Sequence, residues 1–79
     1  MITAYVAMNT ELGFEDEVID NIKEIPEVTE HYALYGIYDI LTKIEANNRE
    51  ELSRLVTTKI RRIDHIKNTI TFIVINQEK

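Results

Sequence analysis

Residues 66–75 contain Asn68-Thr69-Ile70-Thr71-Phe72-Ile73-Val74-Ile75, a run that is β-branched or aromatic at almost every position, and such a run belongs in a sheet. What constrains the fold is how the run divides at a period of two. One face receives Thr69, Thr71, Ile73 and Ile75, and the other Ile70, Phe72 and Val74. Whichever face meets a layer of helices, large apolar groups remain on the opposite one, where a soluble chain rarely leaves a contiguous patch bare.

The preceding residues supply the rest of that sheet and a single helical layer. Ile2, Ala4, Val6 and Met8 alternate against Thr3, Tyr5 and Ala7, which predicts a first strand over residues 2–8. Past a loop at 9–13, Phe14, Val18, Ile22 and Ile25 recur at helical spacing, with Glu15, Asp16 and Glu17 in the first turn, where carboxylates complement the helix dipole. This helix must stop before Pro26. Residues 28–35 and 38–46 read as strands two and three, the latter alternating Tyr38, Ile40, Thr42 and Ile44, with a tight turn at Gly36-Ile37 between them. Asn48 and Glu51 have capping-box spacing. They precede a stripe of Leu52, Leu55, Val56, Ile60 and Ile63, and Lys59, Arg61 and Arg62 close this second helix with the charge its C-terminus favours. Residues 77–79 form a polar tail.

The order β-α-β-β-α-β predicts an α+β, ferredoxin-like sandwich with two helices on one face of a four-stranded antiparallel sheet, because right-handed crossovers put both helices on the same side. The open face then calls for a second copy, and we expect a homodimer with sheets packed face to face. Length points the same way. A chain of 79 residues forms one domain, 1–79, with a small core, and with no Cys it has neither a disulfide nor a thiolate zinc site to brace it. The net charge of −5, with no basic cluster beyond Arg61-Arg62, argues against direct nucleic-acid binding. No apolar run approaches the roughly 20 residues that span a bilayer, nor is there a signal peptide, so a cytoplasmic protein with no membrane partner is expected.

Residues for covalent or acid–base chemistry are scarce. Ser53 is the single serine and sits within the helical stripe, while His31 and His65 lie in different elements without a third ligand at metal-binding spacing. Gly13 and Gly36, the only glycines, cannot make a phosphate-cradling loop. No catalytic residue, metal or cofactor is therefore assigned, and the chain is not read as an enzyme. An RNA-binding sheet would carry basic and aromatic residues on strand three, but Ile37-Tyr38-Asp39-Ile40-Leu41-Thr42-Lys43-Ile44-Glu45 is largely acidic and aliphatic.

The turn Tyr35-Gly36-Ile37-Tyr38-Asp39 admits two readings. A glycine at positive φ would let backbone N–H groups converge on a carboxylate, with the Asp39 side chain placed for an ammonium, which together is what a free amino acid needs. Alternatively, Gly36 only makes the hairpin and Asp39 is an edge charge or a hydrogen-bond acceptor that holds the turn.

Three signals in order, Ile25-Pro26-Glu27-Val28, Gly36-Ile37-Tyr38-Asp39 and Asn68-Thr69-Ile70-Thr71-Phe72-Ile73-Val74, make the chain resemble the effector-binding (RAM) domain of the Lrp/AsnC, or feast/famine, transcriptional regulators. The resemblance runs from Ile2 to Ile75 and includes no helix-turn-helix, so a stand-alone RAM domain is expected. It implies a sheet-to-sheet dimer, closure of dimers into rings, amino-acid effectors held between dimers, and mixed assembly with full-length regulators as a way to act on a partner. Carried onto this sequence, it places Gly36, Tyr38 and Asp39 at the border of the effector pocket and Thr69 and Thr71 nearby. Tyr35 and Ile37 stand where the family often has polar residues, which alters the pocket wall or serves packing between dimers. The alternative function is an interaction module that oligomerises without an effector.

Overall fold

The structure, a computed structural model, describes residues 1–75; the expected polar tail at 77–79 lies outside the described residues. Its elements are β1 (Ile2–Thr10), α1 (Glu15–Lys23), β2 (Val28–Ala33), β3 (Ile40–Ala46), α2 (Arg49–Leu55) with a π-helical continuation (Val56–Ile60), and β4 (Ile66–Ile73). The strands form one sheet in the order β2-β3-β1-β4, antiparallel at every pairing. This is the expected α+β, ferredoxin-like arrangement.

Alternation along the central strands decides what is inside. Ala4, Val6 and Met8 of β1 and Ile40 and Ile44 of β3 are fully buried against Val18 and Ile22 of α1, Leu52 and Leu55 of α2, and Ile60. Each large side chain among them contributes about 1.5–3 kcal/mol by leaving water. Thr42 lies in the same layer, and its hydroxyl donates to Val6 O at 3.1 Å, so the one polar group at the sheet centre is satisfied. Asn48 caps α2 as its spacing predicts: its side chain accepts from Glu51 N–H at 2.8 Å. The Glu51 carboxylate reaches back one residue further than the usual box, to Asn47 N–H at 3.0 Å.

Several boundaries differ from expectation. The first helix has Glu15 in its first turn and stops before Pro26 as expected, but it ends at Lys23, short of the Ile25 of its stripe, because Glu24 and Ile25 donate to Asn21 O and Ile22 O in a tightened last turn. The second helix is not one regular stripe. After Leu55 the bonding widens, with Arg61 N–H donating to Val56 O at 2.9 Å, and this π-turn brings Ile60 wholly into the core. β1 runs on to Thr10, and β4 ends at Ile73 instead of reaching 75. Strands two and three are not joined by a tight turn at Gly36-Ile37. Their pairing stops at Ala33 and Ile40, and residues 34–39 form a wider connection because Asp39 bonds to β1: its N–H donates to Met8 O at 3.0 Å.

The second face of the sheet has no helix over it. Across it, Tyr32, Leu41, Ala7 and Ile70 line up in one row, and Lys43, Tyr5 and Phe72 in the next. Tyr32, Ile70 and Phe72 remain 49%, 39% and 52% exposed, large apolar surface at the middle of a sheet. Glu30 accepts the Tyr32 hydroxyl at 2.6 Å and holds that phenol above its ordinary pKa, first through this bond and then through its charge.

Candidate functional site

The connection 34–39 is built around Asp39. Its carbonyl accepts Leu34 N–H at 2.7 Å, and its carboxylate Oδ2 accepts Thr10 N–H at 2.9 Å, supplying to the end of β1 the acceptor that a longer β3 would have provided. Tyr38 and Asp39 are half-buried beside this bond, whereas Tyr35, Gly36 and Ile37 stand exposed at the tip. Gly36 does not take a positive φ; among the described residues only Gly13 (φ 90) and His65 (φ 74) do. A nest centred on a left-handed Gly36 is therefore not formed, and a Cβ at Gly36 would meet nothing within 4 Å.

Thr69 and Thr71 lie on the helix side of β4, opposite Met8 and Val6. There the edge strand and the π-turn leave an open groove of about 480 Å³, whose walls include Val56, Arg61, Ile66, Lys67, Thr69 and Thr71. A second cleft of about 280 Å³ continues it along α2 past Leu52 and Ser53, sharing Val56 and Thr71. Asp39 and Thr69 thus flank the end of β1 from opposite sides, Asp39 through Thr10 and Thr69 through Met8. The structure brings them to one end of the sheet but not into contact. Arg61 and Lys67 were not among the expected site residues. Only the π-turn, which no spacing rule predicts, turns Arg61 into a groove wall.

At the same end, His65 occupies a left-handed backbone position that non-glycine residues seldom adopt. Its ring stacks on Phe14 with centroids 3.7 Å apart. Its Nδ1 lies 2.9 Å from Glu11 Oε1 and its Nε2 3.7 Å from Glu17 Oε2, while its carbonyl accepts Glu11 N–H at 2.8 Å. The bond to Glu11 holds the imidazole above its ordinary pKa of 6.5, against the partial desolvation that would lower it, and the charges of Glu17, Glu11 and Asp64 add to the rise. His65 thereby fastens the β1–α1 loop to the start of β4. His31 lies on β2, remote from this cluster, and among the described residues no group of three His, Asp or Glu side chains is placed to hold a metal ion. Nor is any described helix long and apolar enough to cross a membrane.

Comparison with known proteins gives this geometry its context. The family model of the Lrp/AsnC ligand binding domain matches residues 3–79. The HTH-type transcriptional regulator FL11 of Pyrococcus horikoshii is 33% identical over 76 residues, covering 96% of this chain and 50% of that protein. The chain thus spans about half the length of the curated relatives it matches. Among solved structures, the hypothetical protein PHS023 from Pyrococcus horikoshii is 39% identical with a TM-score of 0.90, covering 98% of this chain and 93% of that one. The transcriptional regulator NMB0573 from Neisseria meningitidis, solved as an L-Met complex, shares the fold at a TM-score of 0.90 and 16% identity, over 99% of this chain and 52% of that one.

Proposed function

The chain belongs to the Lrp/AsnC ligand-binding domain family, whose relatives are transcriptional regulators, and on that premise we propose that it senses an amino-acid effector and adjusts a partner regulator rather than catalysing a reaction. The observation that carries this reading is the groove beside β4. It is large enough for an amino acid, and Thr69 and Thr71 line it together with Val56 and Ile66. The L-Met complex of the Neisseria regulator supports an amino acid as the ligand class. Asp39, with Oδ2 on Thr10, keeps its second carboxylate oxygen for an effector ammonium, and Tyr35, Gly36, Ile37 and Tyr38 line the approach on the far side of β1. Association of dimers is the arrangement we propose to bring the two half-sites together, with the effector between dimers and the open sheet faces buried within each one. A partner regulator of the same family would be reached by mixed assembly, in the cytoplasm.

A second reading, an interaction module without an effector, draws on the same turn. The Asp39 carboxylate already has a structural partner, and the exposed Leu34, Tyr35 and Ile37 suit contacts between copies. A thermal-shift screen of the twenty amino acids separates the two. A ligand at a hundred times its Kd adds about 2.7 kcal/mol, a shift on the order of ten degrees for a chain this short. If no amino acid moves the midpoint, the interaction module is the better account.

A further inference from the structure

Resting on the reading of the β4 groove as an effector site, we infer that this groove takes an acidic ligand, a small dicarboxylate such as an acidic amino acid, in preference to a neutral or basic one. The chain has 14 acidic residues against nine basic ones, yet the groove and its continuation along α2 collect Arg49, Arg61 and Lys67 and no carboxylate. Two other cations are already engaged, Lys43 with Glu30 and Glu45 at 3.8 and 4.0 Å, and Lys59 with Glu27 at 3.6 Å. Arg61 and Lys67 form no ion pair among the described residues.

The donor set fits an organic anion. The π-turn bond from Arg61 N–H to Val56 O holds Arg61 against the groove wall, and a guanidinium offers a planar fork that matches a carboxylate. Lys67 adds a point charge from the edge strand, Asn68, Thr69 and Thr71 offer neutral donors, and Val56 and Ile66 give a short carbon chain an apolar surface. A neutral amino acid brings one carboxylate to these cations, its ammonium being left, as in any amino acid, to Asp39 of the other half-site. A second carboxylate meets the remaining positive charge.

The test titrates the ¹⁵N-labelled chain with L-glutamate, L-glutamine and glutarate in parallel, following amide shifts, and repeats it with Arg61→Gln and Lys67→Gln. Both substituted side chains are exposed, so the fold should persist. Glutamate is expected to move the amides of residues 67–71 and to bind at least tenfold more tightly than glutamine, with each variant weakening glutamate about fivefold or more and glutamine by less. Glutarate, a dicarboxylate without the ammonium, separates this inference from the reading beneath it: if glutarate binds there and no amino acid does, the acidic groove stands and the amino-acid reading falls. Glutamine binding as tightly as glutamate, indifferent to Arg61→Gln, overturns the inference and keeps the effector. Silence from all three probes at these amides also overturns it.

Discussion

The Asp39 carboxylate accepts the Thr10 N–H at 2.9 Å across 29 residues of sequence, and with the Asp39 N–H bond to Met8 O it joins the β2–β3 connection to the end of β1. A hydrogen bond to a charged acceptor contributes about 1.5–3 kcal/mol, and the half-buried setting of this one puts it near the lower end. Asp39→Ala is expected to lower stability by about 1–2 kcal/mol, and Asp39→Asn by less. Urea unfolding checks both, and unchanged midpoints would mean that water replaces the carboxylate at no cost.

The cap of α2 gives a second measure of local design. Asn48 accepts from Glu51 N–H at 2.8 Å at the start of a helix only seven residues long before its π-turn. Asn48→Ala should cost about 1 kcal/mol, a fall of roughly 4–8 °C in Tm for a domain of this size. A fall under about one degree would show that packing of Leu52 and Leu55 alone holds the helix.

His65 makes stability depend on pH in a stated direction. Its bond to Glu11, with Glu17 and Asp64 nearby, raises its pKa in the folded chain above 6.5. A raised folded value means that the stabilisation is complete below the unfolded pKa and is lost as pH rises through the folded one. His65→Asn, which tolerates the left-handed backbone, should therefore lower Tm more at about pH 5.5 than at about pH 8.5. Equal losses at both would assign the role of His65 to its stacking on Phe14 alone.

How far the sequence was legible follows from the range of the interactions involved. Period-two alternation in Ala4, Val6 and Met8 and helical spacing in Val18 and Ile22 report on faces, which are set locally, and these residues are buried as read. In strand four the division into two faces is as read, but the sequence leaves open which face meets the helices; Thr69 and Thr71 do, opposite Met8 and Val6, and Ile70 and Phe72 face away. What failed depended on partners distant in the chain. Gly36 suggested a tight turn, but Asp39 is drawn to Met8 and Thr10 of β1, and the hairpin opens into six residues. The stripe from Leu52 to Ile63 suggested an unbroken helix, but burying Ile60 shifts the bonding to a π-turn. The left-handed backbone at His65 had no signal at all, since it rests on Glu11 and Phe14, more than fifty residues away.

The open sheet face is expected to tolerate no charge at its middle. Phe72 is 52% exposed and faces Tyr5 across β1–β4, where a facing sheet would pack about 10 Å away. Phe72→Asp should dissociate the pair while leaving the helix-side core intact, so that the helical circular dichroism persists as the mass halves. An oligomer unaffected by this substitution would place the interface elsewhere.

The central claim, that this domain works as a pair joined through its open sheet face, is tested most directly by light scattering of the wild-type chain across a hundredfold dilution. The predicted mass is twice the 9.3 kDa of one chain, or an even multiple of it, at every concentration. A constant mass of 9.3 kDa would contradict the claim.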